Sequence, residues 1–121
     1  MANTFKVVTF AAEPASAGTP YVMYTVASST TAVVLGLVLS NINTTAVTAE
    51  VELVSTTSSR GGANNVANGR SFLIKDVSIP TGSSLEILSG GKVVLEAGDK
   101  IQIDCSVADK LSGTLSIMEI T

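Results

Sequence analysis

The sequence predicts an all-β chain packed as an antiparallel β-sandwich of about eight or nine strands, with a jelly-roll-like topology. Three observations predict it. Apolar residues recur with a period of two, and helical periodicity is absent. Gly, Pro, Asn and Ser punctuate the chain roughly every eight to twelve residues. The apolar fraction, 45 % of 121 residues, is dominated by Val, Ile, Leu and Ala, with three Phe, two Tyr and no Trp. Such β-branched side chains are stiff at χ1 and pack well on a pleated, half-buried surface.

The first strand is expected over Phe5 to Phe10, with a loop through Glu13-Pro14-Ala15-Ser16-Ala17-Gly18 behind it. The second covers Tyr21 to Val26. In the third, Thr31 to Ile42, strict alternation places Val33, Leu35, Leu37 and Leu39 on one face and Val34, Gly36 and Val38 on the other. Both faces are apolar, so this strand is central in its sheet or covered by a partner. The fourth, Val47 to Val54, points Val47, Ala49, Val51 and Leu53 inward and Thr48, Glu50 and Glu52 to water. A long polar loop over 55–69 follows; loops of that length in compact domains serve a function or are disordered. A strand from Ser71 to Ile79 ends at the Pro80-Thr81-Gly82 turn. Ser84 to Leu88 and Lys92 to Leu95, joined by Ser89-Gly90-Gly91, read as a tight hairpin. Lys100 to Val107 alternates with Ile101, Ile103, Cys105 and Val107 inward. The last strand, Leu111 to Ile120, sets Leu115 and Ile117 against Thr114 and Ser116, then brings Met118 and Ile120 onto the side that had been polar.

Residues 1–121 have room for a single domain, which at this size buries roughly two-thirds of the surface its unfolded chain exposes. Seven basic against ten acidic residues give a net charge of −3 with no Lys/Arg cluster, which argues against nucleic-acid binding. The longest apolar run, Ala32 to Leu39, is far short of the roughly 20 residues of a membrane helix. The stretch from Lys6 to Ala17 mimics a signal peptide, but its apolar part is short and broken by Thr9 and Glu13, and it reads as strand. A single cysteine excludes an internal disulfide.

Chemistry-bearing constellations are missing from the pattern, and no catalytic, metal or cofactor residue is assigned. There is no histidine, which removes the commonest general base and a common metal ligand. Cys105 falls on the inward parity of its strand and reads as core filler. No serine stands in a nucleophile elbow. Asp99, Asp104 and Asp109 lack the dense spacing of a calcium loop and read as a solvated strand face and turns. Ser89-Gly90-Gly91-Lys92 lacks both the spacing and the helix of a phosphate loop. Asn43-Thr44-Thr45 fits a glycosylation pattern, which matters only in a secreted protein.

What stands out instead is an excess of apolar surface. One sandwich has one interior, yet Val34, Val38, Met118 and Ile120 lie on the second faces of their strands, so they are candidate interface residues. The alternative is that the two-faced strand is simply central and the C-terminal end bulges. Arg60, Asn64, Asn65 and Arg70 in and beside the long loop are candidate partner contacts.

The run Thr31-Ala32-Val33-Val34-Leu35-Gly36-Leu37-Val38-Leu39-Ser40-Asn41-Ile42, preceded by Tyr24-Thr25-Val26, resembles the opening of small virion structural proteins of tailed bacteriophages, notably those infecting cyanobacteria and other aquatic bacteria. The second half fits more closely. Leu73-Ile74-Lys75-Asp76-Val77-Ser78-Ile79-Pro80-Thr81-Gly82-Ser83-Ser84-Leu85-Glu86 leads into Gly91-Lys92-Val93-Val94-Leu95-Glu96-Ala97-Gly98-Asp99-Lys100-Ile101, and Leu115-Ser116-Ile117-Met118-Glu119-Ile120 closes it. The shared residues are turn glycines and core aliphatics, so the resemblance carries no catalytic residue. The 55–69 loop is longer than the family pattern. The resemblance implies a non-enzymatic virion component, assembled in the host cytoplasm: foremost a decoration (cement) protein on the phage major capsid protein, alternatively a tail, neck or baseplate component. The excess of apolar surface predicts a homo-oligomer, and the resemblance makes it a trimer, matching the threefold positions that such shells offer to resembling cement proteins. A carbohydrate-binding module is the third reading, disfavoured by the scarcity of aromatic side chains.

Overall fold

A computed structural model describes residues 2–55, 69–88 and 91–121. They form nine strands: β1 (Asn3–Glu13), β2 (Tyr21–Thr25), β3 (Thr31–Asn41), β4 (Val47–Val54), β5 (Arg70–Ile79), β6 (Ser84–Glu86), β7 (Val93–Leu95), β8 (Lys100–Cys105) and β9 (Leu111–Ile120). All pairings are antiparallel. One sheet runs β1-β9-β3 with β6 and β7 both on the outer edge of β3, and the other runs β2-β8-β4-β5. With β6 and β7 counted as one interrupted strand, this is the eight-stranded order of a jelly roll, as the alternation predicted.

The edge pair corrects one expectation. Ser84 to Leu95 is not a hairpin. β6 pairs with Val38 to Ser40 and β7 with Ala32 to Val34, so the two pieces lie end to end along β3 instead of side by side. The interruption faces an irregularity in β3 itself, where the register against β9 shifts between Val34 and Gly36. Leu35 is the extra residue of a β-bulge, and the side-chain parity reverses across it. Ala32 and Val34 therefore share the core face with Leu37 and Leu39, and Val33 and Leu35 do not. The C-terminal strand, by contrast, keeps its alternation against β1 from Ile120 to Gly113.

The core is aliphatic. Leu37, Leu39, Leu111, Leu115 and Ile117 from one sheet meet Val51, Ile79, Ile101 and Ile103 from the other, all fully buried. Cys105 is buried with them. Phe10 and Tyr21 bridge the two sheets edge to face, with ring centroids 5.3 Å apart. Buried Asn41 is satisfied on both sides of its amide: Nδ2 donates to the carbonyls of Thr45 and Ile79, and Oδ1 accepts from the amide of Asn43. Three further expectations shift. Glu52, expected in water, is buried beneath Arg70 and Gln102, which satisfy its carboxylate on the outer face of its sheet. β8 stops at Cys105, so Val107 sits in the following turn and is partly exposed. Asp99, expected in water, is only 3 % exposed.

Candidate assembly surface

The outward face of the five-stranded sheet follows from register. In antiparallel ladders, directly opposed residues point to the same side. Leu111, Gly113, Leu115 and Ile117 of β9 are buried, so Ser112, Thr114, Ser116, Met118 and Ile120 point outward. Met118 is opposed by Phe5 of β1 and Val33 of β3, and Val33 is opposed by Val94 of β7. Four apolar side chains thus form one continuous row across four strands. Phe5 is 73 % exposed and Val94 60 %, while Met118 and Val33 between them are half-buried. Val7, 64 % exposed, and bulged Leu35 extend the patch along the strands, and Ile120 adds to it beside Thr31.

Three of the four interface residues expected from the sequence belong to this face: Val38, opposed by Thr114 and Glu86, together with Met118 and Ile120. The fourth does not. Val34 is fully buried, because the bulge at Leu35 turns it inward against Ile117. Phe5, Val7 and Val94 escaped the sequence reading. The signal for the first two was present: β1 carries Phe5 and Val7 on one parity and Val8 and Phe10 on the other, the same two-sided pattern noted in β3.

The outer face of the four-stranded sheet is different in kind. Glu52, 5 % exposed, accepts a bidentate pair of hydrogen bonds from Arg70 (2.7 and 2.8 Å) and a third from Gln102 (2.7 Å). The Arg70 guanidinium, and after it Gln102, hold the Glu52 carboxyl below the usual glutamate range. Lys75 pairs with Glu50 at 3.2 Å and lies 4.6 Å above the ring of Phe72. Arg70, expected as a partner contact, is therefore tied to its own sheet at the start of β5. Arg60, Asn64 and Asn65 lie outside the described residues.

A shallow depression of about 210 Å³ at one end of this sheet is lined by Gly18, Glu50, Asp76, Asp104, Cys105 and Ser106, among others. Its three carboxylates are already engaged: Glu50 and Asp76 with Lys75, and Asp104 with the amides of Gly18 and Cys105. Among the described residues, no group of three or more His, Cys, Asp or Glu side chains is placed to hold a metal ion. Asp99 accepts a hydrogen bond from the amide of Glu96 through Oδ2 and closes the turn before β8. At the opposite edge of the sandwich, Tyr24 donates to Glu119 at 2.5 Å and Lys6 pairs with the same carboxylate at 2.7 Å, which ties β2 to β9 and β1. Burial and the neighbouring carboxylate push the Tyr24 hydroxyl well above the ordinary tyrosine range, while Lys6 and then Tyr24 hold Glu119 below its own. This cluster joins the two sheets.

No family model matches the chain, and no curated protein matches it. A similar solved chain comes from Bacillus endospore appendages, described as a novel family of disulfide-linked pili. It is 18 % identical, with a TM-score of 0.47 over 99 % of this chain and 87 % of that one.

Proposed function

We propose that this protein is a non-enzymatic structural component of a tailed-phage virion, a decoration protein that binds the outside of the capsid shell as a homo-oligomer. The observation that carries the reading is the row Phe5–Met118–Val33–Val94: the most coherent feature of the described surface is an apolar sheet face with little charge, and such a face suits packing against protein better than turning over a substrate. The sequence resemblance supplies the virion context. The experiment is to mix the purified protein with capsids that lack it, sediment them, and locate the bound protein by cryo-electron microscopy. Repeating density on the outer shell is the expected result. Density confined to tail, neck or baseplate would move the protein to that site, and the absence of binding to any virion part would overturn the structural reading.

A further inference from the structure

We infer that the outer face of the five-stranded sheet docks on the same face of a second copy of this chain, around a twofold axis that lies in the interface and runs along the strands between β9 and β3.

Large contiguous apolar patches are rare on soluble monomers and mark association sites. What identifies the occupant is the order of side chains in the row. In an isologous interface the axis decides which residue meets which. An axis along the strands, midway between Met118 and Val33, carries β1 over the second copy's β7 and β9 over its β3. Phe5 then lies over the second copy's Val94, and Met118 over its Val33. One row further, Ile120 lies over Thr31, since those two residues are also in register. Each contact sets a large side chain over a smaller one, the arrangement that lets two packed sheet faces interdigitate. An axis turned to run along the row would instead stack Phe5 on Phe5 at the rim and leave valine against valine.

Charge points the same way. Among the described residues, the one ionisable side chain directed outward in these paired rows is Glu86, at the rim beside Val38. The axis carries it over Thr9, which is opposed by Thr114. Two copies of a chain with net charge −3 can thus close on each other without burying like charges face to face. A partner selected by charge would find its cues on the opposite sheet, around Glu50, Glu52 and Lys75.

The area suffices. Strands about 4.8 Å apart, rising about 3.3 Å per residue, give the face a projected area of about 500 Å². Accessible area exceeds projected area on a rough surface, so the face is of the order of the roughly 800 Å² per partner found in stable complexes. A twofold pair replaces the trimer that shell symmetry suggested.

The test is a charge swap read by sedimentation equilibrium on the full chain, with circular dichroism and thermal unfolding as controls; both altered side chains are mostly exposed in the monomer. The unaltered protein is expected to dimerise. Phe5→Asp and Val94→Lys are each expected to weaken dimerisation by about tenfold or more, because each buries an unpaired charge. The double variant is expected to recover most of the loss, because the carboxylate introduced on β1 would then face the ammonium introduced on β7 of the other copy. A monomeric or trimeric unaltered protein, single variants that associate undiminished, or a double variant no tighter than the singles would each overturn the inference. Dimerisation is read without capsids, so its failure is distinguishable from a failure of the decoration reading.

Discussion

At the scale of single residues, the sandwich depends on contacts with little tolerance. Gly113 lies opposite Phe10, and a Cβ there would run into the Phe10 ring. The absent side chain is what lets that ring reach Tyr21 across the core. Gly113→Ala is expected to destabilise the fold by about 1–3 kcal/mol, the usual cost of overpacking. Adding Phe10→Leu should return part of that loss, so denaturant unfolding of the parent, the two single variants and the double variant should show clear non-additivity. Cys105 should resist thiol reagents in the native protein and react once it unfolds; fast native labelling would contradict its burial. The Tyr24–Glu119–Lys6 cluster and the Glu52–Arg70 pair set a pH window. Glu52 and Glu119 are held below the usual glutamate value of 4.5, so their contribution is complete above that value and is lost as pH falls through their lowered values. Tyr24 is raised from 10.0, so its contribution is complete below that value and is lost as pH rises beyond it. Unfolding midpoints measured from acid to alkali should form a plateau. Tyr24→Phe should flatten the alkaline limb, and Glu119→Gln part of the acid one.

At the scale of elements, the bulge in β3 decides which side chains face which way. Val34 opposes Ile117 and Gly36 opposes Ser116, consecutive positions of β9, so removing Leu35 leaves every remaining partner in register. Deletion of Leu35 is therefore expected to yield a folded protein with modest loss of stability. Deletion of Val38, where pairing is regular, must turn one half of the strand over and expel either Leu37 or Leu39 from the core. That should cost about 4 kcal/mol or more, since truncating even one buried leucine costs about 2–5 kcal/mol. Thermal unfolding and circular dichroism of the two deletions distinguish a bulge from an ordinary strand position. The break between β6 and β7 falls at the same level, where Ile87 donates its amide to the Leu37 carbonyl and carries the edge past the bulge.

At the scale of the whole molecule, surface character is divided between the two sheets. One outer face is apolar and nearly without charge; the other carries the Glu52–Arg70 and Glu50–Lys75 pairs, with Val22 and Phe72 as exposed apolar side chains among them. The two sheets are joined through the aliphatic core, and among the described residues no group of three or more His, Cys, Asp or Glu side chains is placed to hold a metal ion. A chelator should therefore leave the unfolding midpoint unchanged, and a marked drop would reveal a metal requirement.

Much of this was legible along the chain, and the reasons are local. β8 alternates throughout and β4 does so as far as Val51, so their inward residues, Val47, Ala49 and Val51 with Ile101, Ile103 and Cys105, could be named from parity alone. Met118 and Ile120 announced an apolar outer face because β9 keeps its register while its outward residues change character. The sequence by itself thus determined the all-β class, the antiparallel sandwich and most of the core. Only the tertiary structure decided the fate of Val34, because a bulge is a property of two paired strands and Leu35 carries no mark in one of them. It also decided that β6 and β7 form one broken edge instead of a hairpin, since a glycine turn fits both and the choice depends on what β3 offers alongside. The apolar row had to wait for the same reason. Phe5, Met118, Val33 and Val94 are far apart in the chain, and pairing of four strands brings them onto one line.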